Sequence, residues 1–411
     1  MSYRSGPVAQ RAAIGAVAAA CFLGGTPVAS AAPAPHKNAP SPTTSAEPEP
    51  PGNMSGLGGS RLAQPGVQVD LPPGGAPPPA IEAYSWLVAD MTSGQILAAK
   101  NVHWQLAPAS TLKMLFADTV LPKLDKNTVH TVAPQELEGM GDGSSKVGVK
   151  ENLAYSVHDL WNGVFLQSGN DAVHVLCAMN GGVETTVAQM NERAKSLQAN
   201  DTHVMSPDGY DMPGQVSSAY DLALFAREGM KNADFRSYAS TKDSQFPGKD
   251  NTTFGIQNTN TMLGSYPGMI GVKNGYTTNA QNTFVGAATH DGRTLLVSIM
   301  HVAGKGKTYE QTKQLLDWGF GNAAGVKPVG SLVDPVGGSS GSPSASESKK
   351  TAQAAAAPAA AADGSGGSVD WALWAGVGIP AVLLVGGATM FVIRKRGWGR
   401  TEITFEDDIL P

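Results

Sequence analysis

Large apolar residues are missing from two long stretches of this chain, and that gap decides where a core can form. Residues 32–80 and 326–369 are rich in Pro, Ala, Gly and Ser. Such segments hold too little apolar surface to offset the entropy of ordering a chain. Both are expected as disordered spacers, which leaves 81–325 as the compact domain.

The two ends place that domain in the cell. Arg4 and Arg11 precede an apolar run from Ala12 to Gly25, and Ala29-Ser30-Ala31 follows. A charged start, an apolar stretch and an A-x-A site make a secretory signal, so 1–31 is expected to be cut off after Ala31. Trp371 to Ile393 is apolar and carries no charge. As a helix it measures roughly 34 Å at about 1.5 Å per residue, enough for a hydrocarbon core of about 30 Å. Arg394, Lys395, Arg396 and Arg400 follow directly. The positive-inside rule then makes 370–393 a transmembrane helix, 394–411 a cytoplasmic tail, and the domain extracytoplasmic on a single-pass anchor at the cell membrane.

Charge and cysteine count narrow the class. The net charge is −5, and the chain has no long basic run outside its C-terminus, so no nucleic-acid partner is expected. There are two cysteines. Cys21 falls in the signal segment and Cys177 in an apolar helical pattern, so Cys177 is expected as a buried thiol and not as half of a disulfide.

Within the domain, Tyr84–Asp90 and Gln95–Lys100 read as strands around the turn Met91-Thr92-Ser93-Gly94. Thr283–Thr289 and Thr294–Val302 flank an Asp291-Gly292 hairpin turn. Helical patterns cover Ser110–Leu121, Asp171–Met179, Val183–Leu197, Tyr220–Met230 and Tyr309–Trp318. Ser156-x-x-Asp159 and Ser218-x-x-Asp221 are helix-start signatures. Strands at both ends with helices between predict an α+β fold: an antiparallel sheet packed by helices.

Three short motifs carry chemistry. Ser110-Thr111-Leu112-Lys113 sets a serine and a lysine on one helix face, where a lysine of lowered pKa can act as base. Alone it is weak, since Ser346-x-x-Lys349 repeats the pattern inside a spacer. Ser168-Gly169-Asn170, between two helical stretches, reads equally as an ordinary turn. Lys273-Asn274-Gly275, before the terminal hairpin at the sheet edge, reads equally as a solvated turn. No H-E-x-x-H is present, so a zinc peptidase lacks its ligands, and no metal or cofactor is expected. The one G-x-S-x-G, Gly337 to Gly341, lies in spacer sequence.

The order S-x-x-K, S-x-N, K-x-G is that of penicillin-binding proteins and serine β-lactamases. With Pro108-Ala109-Ser110, Leu166 to Ala172, Met190-Asn191-x-x-Ala194, Ser206-Pro207-Asp208-Gly209 and Tyr266 to Thr277, the sequence resembles the low-molecular-mass D-alanyl-D-alanine carboxypeptidase family over about Ile81 to Phe320. The resemblance implies a penicillin-sensitive serine peptidase acting on peptidoglycan stem peptides, with β-lactam antibiotics as inhibitors. By it, Ser110 attacks the carbonyl of the penultimate D-alanine, Lys113 is its base, and Ser168 relays the proton. Asn170 positions the substrate amide, and Lys273 supplies positive charge. Asn274, Gly275, Tyr276 and Thr277 line the substrate, and the backbone N–H groups of Ser110 and Tyr276 form the oxyanion hole. Two positions depart from the pattern. Asn274 stands where the family has Thr or Ser, whose hydroxyl helps hold the substrate carboxylate, and Ala280-Gln281 stands where Ala-Gly is usual. An endopeptidase on crosslinked peptides, a serine β-lactamase and a catalytically degenerate wall-peptide binder are the alternatives.

Overall fold

The computed structural model describes residues 49–304 and 306–337. The segments expected as signal (1–31), transmembrane helix (370–393) and cytoplasmic tail (394–411), with Cys21, lie outside the described residues. In chain order the strands are β1 (Val67–Val69), β2 (Ser85–Asp90), β3 (Gln95–Lys100), β4 (Val129–Thr131), β5 (Ala154–Ser156), β6 (Asp243–Pro247), β7 (Thr253–Gln257), β8 (Met269–Thr277), β9 (Gln281–His290), β10 (Arg293–Val302) and β11 (Gly330–Ser331). The helices are α1 (Lys113–Val120), α2 (Val157–Leu166), α3 (Asn170–Met179), α4 (Val183–Ser196), α5 (Ala219–Gly229), α6 (Ala233–Ser240), α7 (Met262–Ser265) and α8 (Lys307–Asn322).

The main sheet runs β1-β3-β2-β10-β9-β8, with β11 also paired to β3, and the pairings are antiparallel. Side chains alternate between its faces, as the two-residue strand period requires. Trp86, Val88, Leu295, Val297 and Ile299 pack with Leu315, Leu316 and Trp318 of α8. Leu87, Ala89, Leu296 and Met300 join the larger core formed with α1, α2, α3 and α5. Helices cover both faces, so all of β2 is buried. The predicted α+β architecture is the one observed.

Helix starts follow their expected chemistry. Ser156 Oγ accepts from the Asp159 N–H at 3.1 Å, and the Asp159 carboxylate accepts the Ser156 hydroxyl at 2.6 Å. Ser218 caps α5 through the Asp221 N–H at 3.1 Å. Cys177 is free and fully buried, and burial pushes its thiol up to about 12.

The expected spacer boundaries need correction at both sides. Residues 49–80 do not lie outside the domain. Val67–Val69 pairs with β3, Leu62 is buried in the core, and the Trp318 indole donates to the Ala76 carbonyl at 2.9 Å. Residues 326–337 belong to the domain too. Gly330–Ser331 pairs with β3, and Val326, Val329 and Leu332 are buried. The Tyr220 hydroxyl fastens this end, donating to the Ser331 carbonyl at 2.8 Å and accepting from the Val333 N–H at 3.1 Å. Neither segment builds a core of its own. Each adds backbone hydrogen bonds and a few apolar side chains to a core that others supply, which composition alone does not reveal.

Candidate active site

Ser110 sits in a 3-10 turn, Ala109–Leu112, that leads into α1. Ala109 before it takes φ 50, a left-handed conformation that costs energy for a residue with a Cβ. Neighbours hold that turn from two sides. Thr111 and Thr283 both donate hydroxyls to the Pro108 carbonyl, at 2.5 and 3.0 Å. Gly209 lies so close that a Cβ there would stand 2.0 Å from the Ala109 carbonyl oxygen.

Lys113, 1% exposed, points back along the turn. Its Nζ donates to Ser110 Oγ at 2.9 Å, Asn170 Oδ1 at 2.7 Å and the Asp208 carbonyl at 2.6 Å. Burial lowers its pKa to about 8, with the Asp208 and Asp171 carboxylates pulling the other way. An amine so placed is within reach to take the Ser110 hydroxyl proton.

Ser168 lies between α2 and α3 with φ 56. The next helix starts at Asn170, whose Nδ2 donates to Ser144 Oγ at 3.1 Å. Asp171 anchors the loop beside it. Its carboxylate accepts the backbone N–H groups of Val147, Gly148 and Val149 at 3.0, 2.8 and 2.9 Å.

Lys273, Asn274 and Gly275 sit in β8 at the sheet edge. They form part of a strand and not a turn. Lys273 is 1% exposed, and its Nζ donates to Ser168 Oγ at 3.1 Å and to the Asn274 carbonyl at 2.9 Å. Burial, then the Lys113 charge, moves its pKa well below the usual lysine value. Gly275 allows β8 to approach the Ser110 turn, since a Cβ there would stand 2.7 Å from the Ser110 nitrogen. Tyr276 is 63% exposed at the mouth of the site. The Thr277 hydroxyl donates to Asp211 at 2.7 Å and accepts the Ala280 N–H at 3.0 Å, so it ties a loop to β8.

Around these residues lies a cleft of about 260 Å³ lined by Ser110, Ser144, Asn170, Tyr210, Tyr276 and Thr277, among others. The three sequence motifs thus converge in two adjacent hydrogen-bonded groups, Ser110–Lys113–Asn170 and Ser168–Lys273. Sequence reasoning gave no role to Asp171, Asp208, Gly209, Thr259 or Thr283. The signal for three of them was present, because Asp171 abuts the second motif and Asp208-Gly209 belongs to a segment already singled out. Among the described residues no cluster of three metal-ligating side chains occurs.

Comparison with known proteins agrees with this geometry. A family profile described as D-alanyl-D-alanine carboxypeptidase matches residues 74–304. The carboxypeptidase DacB2 of Mycobacterium tuberculosis is 41% identical over 256 residues, covering 61% of this chain and 86% of that protein. The carboxypeptidase DacD of Salmonella typhimurium is 34% identical over 264 residues, covering 61% of this chain and 66% of its own. Among solved structures, a D-alanyl-D-alanine carboxypeptidase from Mycobacterium tuberculosis superposes with a TM-score of 0.60 at 38% identity, over 64% of this chain and 99% of that one. A DD-transpeptidase of Streptomyces gives 0.57 at 26%, over 60% and 100%.

Proposed function

Because the chain belongs to the D-alanyl-D-alanine carboxypeptidase family, and so is a serine peptidase that removes a terminal D-alanine, we propose that Ser110 is its nucleophile and Lys113 the base. The observation that carries this is the 2.9 Å contact between Ser110 Oγ and an amine that burial has brought to about 8. Ser110 Oγ attacks the carbonyl carbon of the penultimate D-alanine while its proton passes to Lys113. The oxyanion forms between the backbone N–H groups of Ser110 and Tyr276, consistent with the close approach of Gly275 to the Ser110 nitrogen. The C–N bond then breaks as Ser168 passes a proton to the departing amine and takes the one held by Lys113 in its place. Water hydrolyses the Ser110 ester and restores the hydroxyl.

Lys273 supplies positive charge near Lys113 and the substrate carboxylate, although burial and the Lys113 charge move its pKa well below the usual lysine value. Among the described residues no carboxylate offsets that burial. The terminal carboxylate of a stem peptide supplies the missing counter-charge. Charge gained at Lys273 then repels the proton on Lys113 and readies the base. The substrate is a peptidoglycan stem peptide, and β-lactams acylate the same serine.

Anchoring completes the proposal. Among the described residues no helix is long and apolar enough to cross a membrane. The single-pass anchor, extracytoplasmic domain and cytoplasmic tail rest on the sequences of 370–393 and 394–411 and on the signal-like 1–31. Protease treatment of intact spheroplasts tests this topology: the domain should be digested and a tag after Pro411 protected.

The functional test is a fluorescent penicillin applied beside Ser110→Ala, followed by D-alanine release from a pentapeptide. Label on the wild type alone, with D-alanine released, is expected. Rapid turnover of the penicillin would favour a β-lactamase. A folded protein that takes no label would be the degenerate binder.

A further inference from the structure

The segment 257–260 bridges the two motifs on which substrate binding depends. The Gln167 side chain donates to the Gln257 carbonyl at 2.6 Å, and the Thr259 N–H donates to the Leu166 carbonyl at 2.9 Å, so the segment is strapped to the turn that carries Ser168. The Tyr309 hydroxyl of α8 donates to the Thr259 carbonyl at 2.9 Å. Thr259 therefore has a backbone held on two sides and an exposed side chain. Its hydroxyl donates to Asn274 Oδ1 at 3.0 Å. The Lys273 amino group stands 3.5 Å from the same oxygen, and that amino group also reaches Ser168 Oγ at 3.1 Å.

An asparagine side chain carries an acceptor at one tip and a donor at the other, and its orientation is set by what surrounds it. The Lys273 amino group donates toward one tip of Asn274 and the Thr259 hydroxyl turns to donate beside it, so the oxygen occupies that place. The amide nitrogen takes the other, and among the described residues Nδ2 has no hydrogen-bond partner. A threonine hydroxyl at position 274 would need no such orientation, because it rotates to suit its partner. An asparagine turned over would present an oxygen to an anion.

We propose that Thr259 is a positioning residue: with Lys273 it locks the Asn274 amide so that Nδ2 is offered to the substrate's terminal carboxylate. This rests on the proposed carboxypeptidase reading, in which Asn274, standing where the family has a hydroxyl that helps hold the substrate carboxylate, meets that carboxylate.

The test compares two acyl-D-alanyl thioesters on the purified full-length protein. One has a mercaptoacetate leaving group, which bears a carboxylate, and the other has mercaptoacetamide. Thr259→Val keeps the shape and removes the donor. It should raise KM for the carboxylate thioester roughly 3- to 10-fold, the worth of one hydrogen bond, with kcat nearly unchanged. The amide thioester should be unaffected, Thr259→Ser should restore the wild-type KM, and Thr259→Val should add nothing in an Asn274→Ala background. Equal losses on both thioesters, no loss at all, or failure of the serine variant to rescue would overturn the proposal. Asn274→Ala separates the two levels. If it harms both thioesters equally, the carboxylate reading of Asn274 itself is wrong. If it harms only the carboxylate thioester while Thr259→Val does not, the role of Thr259 alone is wrong.

Discussion

Two lysines are buried in this site to the same degree, each within hydrogen-bond distance of a serine hydroxyl, yet their surroundings differ in kind. Lys113 faces three acceptor oxygens, with the Asp208 and Asp171 carboxylates near enough to favour its charge. Lys273 faces the Ser168 hydroxyl and the carbonyl and side-chain oxygens of its neighbour Asn274, no carboxylate is close enough to offset its burial, and the charge that acts on it is that of Lys113. Burial penalises both cations, but only Lys113 has partners that offset part of the penalty. The positive charge is therefore better supported at the helix lysine than at the strand lysine. Residue type and burial do not distinguish base from electrostatic partner. The second ring of carboxylates does.

Removing either lysine is the strongest way to break this comparison. Lys113→Met takes away the proposed base, and acylation by a penicillin should slow by about 10³-fold or more. Lys273→Met leaves the Ser110–Lys113 pair intact, so its loss should be smaller and concentrated on substrates that carry a carboxylate. Stopped-flow acylation of both variants measures this. Equal losses on every substrate would mean that the two lysines act as one unit.

Asp171→Asn probes the ring that separates them. The carboxylate accepts three backbone N–H groups of the 147–149 loop, and losing its charge should cost roughly 1–3 kcal/mol of stability in denaturant titrations. Asp171 also favours the Lys113 charge, so the same variant should move the Lys113 titration below about 8. A stability loss with no movement of that titration would confine Asp171 to holding the loop.

How much of this was legible beforehand follows the same division between local and distant causes. The Ser110 and Ser168 motifs could be placed because helical patterns bracket them, and the observed elements begin and end within a few residues of those expected. The strand carrying Lys273 was harder to read. Gly271 and Gly275 interrupt its apolar alternation. They do so for a reason found elsewhere in the chain: a Cβ at Gly271 would stand 2.9 Å from the Ala239 carbonyl oxygen, and one at Gly275 would meet the Ser110 turn. Helix α6, which carries Ala239, and the β6–β7 hairpin were not anticipated either. Asp171 reaches 24 residues back to Val147, and Thr259 meets a side chain 15 residues ahead. Such pairings leave no mark in local periodicity. The 49–80 strap stayed hidden for a related reason, since its order comes from the edge of a sheet that later residues build.

Stability against pH gives a smaller effect of definite sign. The folded-state pKa of Lys113, about 8, lies below its ordinary 10.5. Below pH 8 the folded protein carries the full cost of a buried ammonium. Between 8 and 10.5 the unfolded chain binds more protons than the folded one, so stability rises with pH. Relative to Lys113→Met, the wild type should gain about 1 kcal/mol per pH unit from 8 to 10. Parallel pH curves for the two proteins would show that Lys113 is not held at a lowered pKa.

The smallest predicted effect is none, and it bears most directly on the comparison. The pH dependence of kcat/KM reports groups of the free enzyme. The wild-type profile should rise through about 8 as Lys113 loses its proton. If Lys273 is already neutral in the empty site, it exerts no repulsion while Lys113 titrates, and Lys273→Met should leave that limb in place although the plateau falls. If Lys273 were charged, its removal would relieve a like-charge repulsion and move the limb upward. A fixed limb would place the only resident proton on Lys113 and require the substrate's carboxylate to bring Lys273 into play. An upward-moving limb would mean that both lysines are charged at neutral pH, and the base would then have to be freed by some route other than binding of the carboxylate.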